Sequence, residues 1–246
     1  MWQFLPALLL AAVPQEPGGE EESKWSGSFD AGLTILSGNN DSITSTADVL
    51  AKYEDVGYRW IFEGNYAGVR QTDPTTGDAF STGRLYRLAG EHHRFLDAED
   101  NLYAYGKGSA RSDEPNGLQI REDIGVGAGY TWRWDEDQGQ FSLEAGPSYL
   151  RENNVGLLMD DSVNGRLAAR LDWGFTESWK LLGRGEFFQS FDESDDRSFT
   201  GELSVRWNFQ ETWFLQGTAA VAWDNTPAPG FSSTDTRYVL AVGTTF

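Results

Sequence analysis

The chain has 246 residues with ten Trp, nine Tyr, fifteen Phe, twenty-eight Gly and no Cys, and a formal net charge of -19. That charge argues against nucleic acid as a partner, because phosphate would be repelled instead of neutralised. Without cysteine there is neither a disulfide scaffold nor a thiolate metal site, and at this length an all-β barrel fits as a single unit.

The chain opens on an apolar run, Phe4 to Val13, about half of the roughly 20 residues a helix needs to cross a bilayer. Residues 1–13 read as the h-region of an export signal and 14–24, "PQEPGGEEESK", as a disordered acidic tail. Two features depart from a signal: no Lys or Arg precedes the run, and Ala11-Ala12-Val13 is a poor cleavage site. The alternative is a greasy, disordered N-terminus.

From Trp25 onward the apolar period is two, with no helical period held for three turns. Twelve strands are expected, at about 25–37, 42–54, 58–71, 80–95, 102–112, 118–134, 140–152, 162–175, 179–191, 197–209, 213–224 and 236–246. In the sixth, Leu118, Ile120, Ile124, Val126, Ala128, Tyr130, Trp132 and Trp134 share one face, while Gln119, Arg121, Asp123, Gly125, Gly127, Gly129, Thr131 and Arg133 share the other. The eighth and tenth repeat this division. The fourth and fifth, "RLYRLAGEHHRF" and "LYAYGKGSAR", do not declare an apolar face. Pro147, inside the seventh, cannot donate to a ladder and marks a bulge or irregularity.

Connections alternate in length. Links 2–3, 4–5, 6–7, 8–9 and 10–11 are short, whereas most of the others are longer, so a meander gathers its short turns at one end. Aromatic residues follow the same division. Trp25, Tyr58, Trp60, Trp132, Trp134, Trp173, Trp179, Trp207, Trp213 and Phe246 all fall at the short-turn end. Such a girdle is what a membrane–water interface selects, since the ring prefers the boundary and its N–H or O–H needs a wet partner.

Backbone groups left unpaired in hydrocarbon cost several kcal/mol each, so a sheet in lipid must close on itself. The expectation is therefore an all-β fold: one antiparallel up-and-down transmembrane β-barrel over 25–246, with about twelve strands and both termini periplasmic. Apolar faces meet lipid, and Asp30, Asp48, Lys52, Arg59, Glu63, Arg121, Asp123, Glu144, Arg166, Arg170, Asp172, Arg184, Glu186, Glu202, Arg206 and Arg237 line the lumen. Confined charges of both signs stay ionised by pairing. A soluble β-sandwich or lipocalin-like carrier is the competing fold.

"SGNNDSITSTADVLAKYEDVGYRWIFEGNYAG", "GVGAGYTWRW" and "LEAGPSYLREN" resemble the bacterial outer-membrane family known as domain of unknown function 481, whose members are described as salt-stress-induced or outer-membrane barrels. The likeness covers about Trp25 to Phe246. It implies location in the outer membrane after export, with lipid and lipopolysaccharide as surroundings, and assigns no activity. The final strand, Tyr238 to Phe246, is similar to the C-terminal signal that the barrel-assembly machinery reads.

No cofactor, metal site or catalytic residue is expected. His92 and His93 are adjacent, so at most one projects to each face, and a rim histidine is more often an interfacial polar group than a base. The acidic loops lack the ligand spacing of a dedicated calcium loop. The expected function is a narrow channel for ions or small polar solutes, or a stress-linked envelope component. The alternatives are a non-conducting structural or adhesion barrel and a lipid-modifying enzyme.

Overall fold

A computed structural model describes residues 24–36, 41–72, 79–114, 117–134, 138–227 and 232–246. The export-signal segment, residues 14–23 of the acidic tail and the Ser37–Asn40 turn lie outside the described residues.

The period-two pattern becomes twelve strands: β1 Trp25–Leu36, β2 Asp41–Asp55, β3 Tyr58–Thr72, β4 Ala79–Phe95, β5 Leu102–Asp113, β6 Leu118–Trp134, β7 Gly139–Asn154, β8 Asp160–Gly174, β9 Trp179–Ser190, β10 Arg197–Asn208, β11 Trp213–Asp224 and β12 Thr234–Thr245. Each pairs antiparallel with its sequence neighbours, and β12 returns to β1 to close the barrel. The closing ladder runs from Ser28↔Thr245 to Gly32↔Ala241. Gly27 N–H extends it by donating to Phe246 O at 3.0 Å, and Phe246 N–H returns a bond to Gly27 O at 3.2 Å.

The short β2–β3 turn needs only Val56 and Gly57, the latter at φ 78°, in the left-handed region that glycine enters without steric cost. The girdle residues pack ring against ring around this rim, edge-on or stacked. Trp25 meets Tyr53 at 5.1 Å, Trp60 meets Phe62 at 6.0 Å and Trp179 meets Trp207 at 6.0 Å between ring centroids. Above them the outer surface is apolar: Ile124 is 67% exposed and Leu240 59%. A surface of this kind suits acyl chains, not water.

Three details differ from simple alternation. Leu118, expected outside, is buried, because β6 shifts register against both neighbours at its start, between Leu118 and Ile120 and opposite Arg111 and Asp113. Pro147 produces a gap and not a bulge. Gly125↔Ser148 and Ala128↔Ala145 flank it in unchanged register. In β5 the aromatic residues point inward: Tyr103 and Tyr105 cluster with Phe95 and are buried. Gly127 and Gly129 of β6 make room for those rings, since a Cβ at Gly127 would stand 2.7 Å from Tyr105 Cε1, and one at Gly129 2.5 Å from Tyr103 Cζ.

Candidate functional site

Alternation sends one side chain in two toward the barrel axis, and ionic groups of both signs are spread among them. Among the described residues the lumen holds an inner and an outer chamber. The inner chamber of about 220 Å³, toward the short-turn rim, is lined by Asp30, Asp48, Lys52, Arg59, Glu144, Asp172 and Arg206 among others. The outer chamber of about 580 Å³, toward the long connections, is lined by Arg121, Asp123, Arg166 and Glu186. Glu63, Arg170, Arg184, Glu202 and Arg237 line both.

Those shared residues form a septum. Arg184 on β9 donates through Nη1 to Glu63 Oε2 on β3 at 2.9 Å, joining opposite walls of the twelve-strand ring. Its Nε donates to Glu202 on β10 at 2.8 Å. Glu63 also accepts from Arg87 Nη1 of β4 at 2.5 Å and lies 3.6 Å from Arg170 Nη2 of β8. Arg170 Nη2 donates to Glu91 Oε2 of β4 at 2.7 Å. Glu186 takes a bond from Arg166 Nε at 2.7 Å and another from Lys107 Nζ of β5. Charges taken from water are tolerated only when each finds partners of opposite sign, and this network supplies them across the lumen as well as along the wall.

Beside the septum, Glu144 of the inner chamber and Arg166 of the outer one are each 2% exposed. Glu144 accepts from Arg166 Nη1 and from Tyr103 O–H, both at 3.0 Å. His93 stacks on Tyr103 at 4.2 Å and shares a hydrogen bond with Glu91 Oε1 through Nε2 at 2.7 Å. His93 is therefore inside the barrel. Its neighbour His92 faces out and packs on Trp60 at 4.4 Å, as an interfacial group would.

The donors of Glu91, His93 and Glu144 lie within 4.8 Å of one another. Each carboxylate is already committed to an arginine, so a metal ion would have to displace Arg166 and Arg170 and overcome their charge. The cluster is better built to hold His93 than a cation.

The sequence missed Arg87, Glu91, His93, Lys107 and Arg111 as lumen residues, and all stand on β4 or β5. The inward faces of those strands carry the clustered rings Phe95, Tyr103 and Tyr105, while the outward face of β5 presents Ala104, Gly106, Gly108 and Ala110. The signal available was the two-residue spacing Arg87, Ala89, Glu91, His93, set against Tyr86, Leu88 and His92.

A family model described as "Protein of unknown function, DUF481" matches residues 29–246. The chain belongs to that family. This DUF481 protein is 22% identical over 218 residues to "Uncharacterized protein YdiY" of Escherichia coli (strain K12), covering 88% of this chain and 81% of the relative. Among solved structures, the NanC porin aligns with a TM-score of 0.53 at 7% identity, over 90% of this chain and 98% of that one. At such identity the likeness concerns fold alone, and the fold is that of outer-membrane barrels.

Proposed function

We propose that this DUF481 protein is an outer-membrane barrel that acts as a narrow channel for ions or small polar solutes, its lumen divided at rest by the ionic septum. On this reading the short-turn rim and both termini face the periplasm and the longer acidic connections face outward. One observation carries it. The two chambers share Glu63, Arg170, Arg184, Glu202 and Arg237 as walls, so they are separated by a single layer of side chains.

Long charged side chains can swing aside without disturbing the backbone ladder, which makes the septum the place where conduction is set. Catalysis has no part in the proposal: His93 Nε2 is held by Glu91 and its ring by Tyr103, and His92 is packed against Trp60.

A structural barrel, as part of a stress-linked envelope, is the second reading. It is favoured by the same cross-lumen bonds, which brace β3, β4 and β5 against β8 and β9. Single-channel recording in planar bilayers separates the two. Arg184→Ala is expected to raise unit conductance above that of the unmodified protein by removing the bonds that tie β9 to Glu63 and Asn65 on the opposite wall. Equal conductance, or no events from either protein, would leave the structural reading.

A further inference from the structure

Antiparallel register places three arginines side by side in the wall of the outer chamber. Arg87 on β4 stands directly opposite Arg111 on β5, and Arg111 directly opposite Arg121 on β6. Cross-strand partners of this kind have Cβ atoms about 4.5–5.5 Å apart, and like charges there repel. The two outer members are compensated. Arg87 is paired with Glu63, and Arg121 with Glu152 on one side and with Asp224 at 3.8 Å on the other.

Arg111, between them, forms no ion pair among the described residues. Its Nε is shielded from solvent and has no hydrogen-bond partner. Arg237 Nε, on the same chamber, is likewise shielded and unpartnered, and its only ion pair among the described residues is a 3.9 Å approach to Glu202. A guanidinium with a shielded, unpartnered Nε, beside two other cations and opening on a cavity of about 580 Å³, is an arrangement completed by an anion.

We propose that the outer chamber binds a small hydroxylated carboxylate, with Arg111 as the fork that holds its carboxyl group. A single guanidinium with no contact ion pair among the described residues, on which Asp113 and Glu152 act only from farther off, matches a monoanion in charge, and its planar donors match a carboxylate in shape. Ser198 and Thr200, on the facing wall of the same chamber, offer hydroxyls to the rest of such a molecule. The proposal concerns the chamber through which the channel reading passes, but binding does not require conduction.

The test is calorimetric titration of the full chain in detergent micelles with gluconate, using glucose as the uncharged control and inorganic phosphate as the more highly charged one. Gluconate is expected to bind and glucose not to. Arg111→Gln is expected to weaken gluconate about tenfold or more, the loss of one charge-assisted contact. Without ligand, its melting temperature should equal or exceed that of the unmodified protein, because a repulsion has gone.

Arg111→Lys keeps the charge and loses the fork, so it should fall between the two, and it serves as the test should Arg111→Gln fail to fold. Gluconate binding no better than glucose, phosphate binding tighter than gluconate, or full gluconate affinity in either variant overturns the proposal. Since none of these readouts involves current, a silent protein in planar bilayers would not decide the matter.

Discussion

The septum and the arginine row of the outer chamber use the same side chain in opposite ways. In the septum, arginines from β8 and β9 point at glutamates rooted on β3 and β4, so each charge meets its opposite across the lumen. In the row, Arg87, Arg111 and Arg121 are neighbours along the hydrogen-bond direction, and among the described residues contact ion pairs reach only the two at the ends. Closing the barrel on itself lets charge balance be made between strands far apart in sequence, and local register neither ensures nor forbids it. The difference separates a region whose charges answer one another from one that leaves room for a counter-charge.

Glu63 is where the septum is most easily broken. Its carboxylate faces Arg87, Arg170 and Arg184 at 2.5, 3.6 and 2.9 Å. Glu63→Gln keeps the shape but leaves three sequestered guanidinium groups short of a counter-charge, and should cost about 3–5 kcal/mol. Urea unfolding of the refolded barrel, followed by tryptophan fluorescence, measures it. A loss no larger than that of a surface substitution would mean the septum is hydrated and weakly coupled.

Glu152→Gln tests one end of the row. It removes the carboxylate that holds Arg121 and accepts from Asn154 Nδ2, while Asp224 and Ser198 remain near Arg121. A loss of about 1–3 kcal/mol is expected in the same assay. Arg111→Gln should then be neutral or stabilising, reversing the usual sign for losing a buried charged residue. If Arg111→Gln costs as much as Glu152→Gln, the row is compensated in a way its register hides.

How far the sequence foretells this comparison depends on the strand. In β3, β6, β8, β9 and β10, polar residues alternate with large apolar ones, so Glu63, Arg121, Arg170, Arg184 and Glu202 could be placed inside from pattern alone. In β4 and β5 the pattern fails for a physical reason. The inner face there is partly aromatic, with Phe95, Tyr103 and Tyr105 packed together, while small residues face out from β5. Arg111 was therefore invisible, and so was the row it centres. Pairing across the lumen was equally hidden, because Arg184 and Glu63 are joined only once the ring is closed.

The smallest effect is expected at the short-turn rim, where the same chemistry meets water. Lys24 Nζ donates to Asp55 Oδ2 at 2.8 Å, a distance as short as many in the septum, but the lysine side chain is 53% exposed. The bond holds the Lys24 ammonium above its ordinary pKa of 10.5, first through the hydrogen bond to Asp55 and then through its charge. A raised ammonium pKa adds stability that is complete below the unfolded value and fades as pH climbs through the folded one. Any difference between Lys24→Gln and the unmodified protein should therefore be constant from neutral pH to about 10 and shrink above it. Solvent screening and the entropy of two mobile side chains keep that difference near the limit of measurement. Chemical denaturation across this pH range checks both size and direction, and a loss comparable to Glu63→Gln would show that length of contact, not exclusion of water, decides what an ion pair contributes in this barrel.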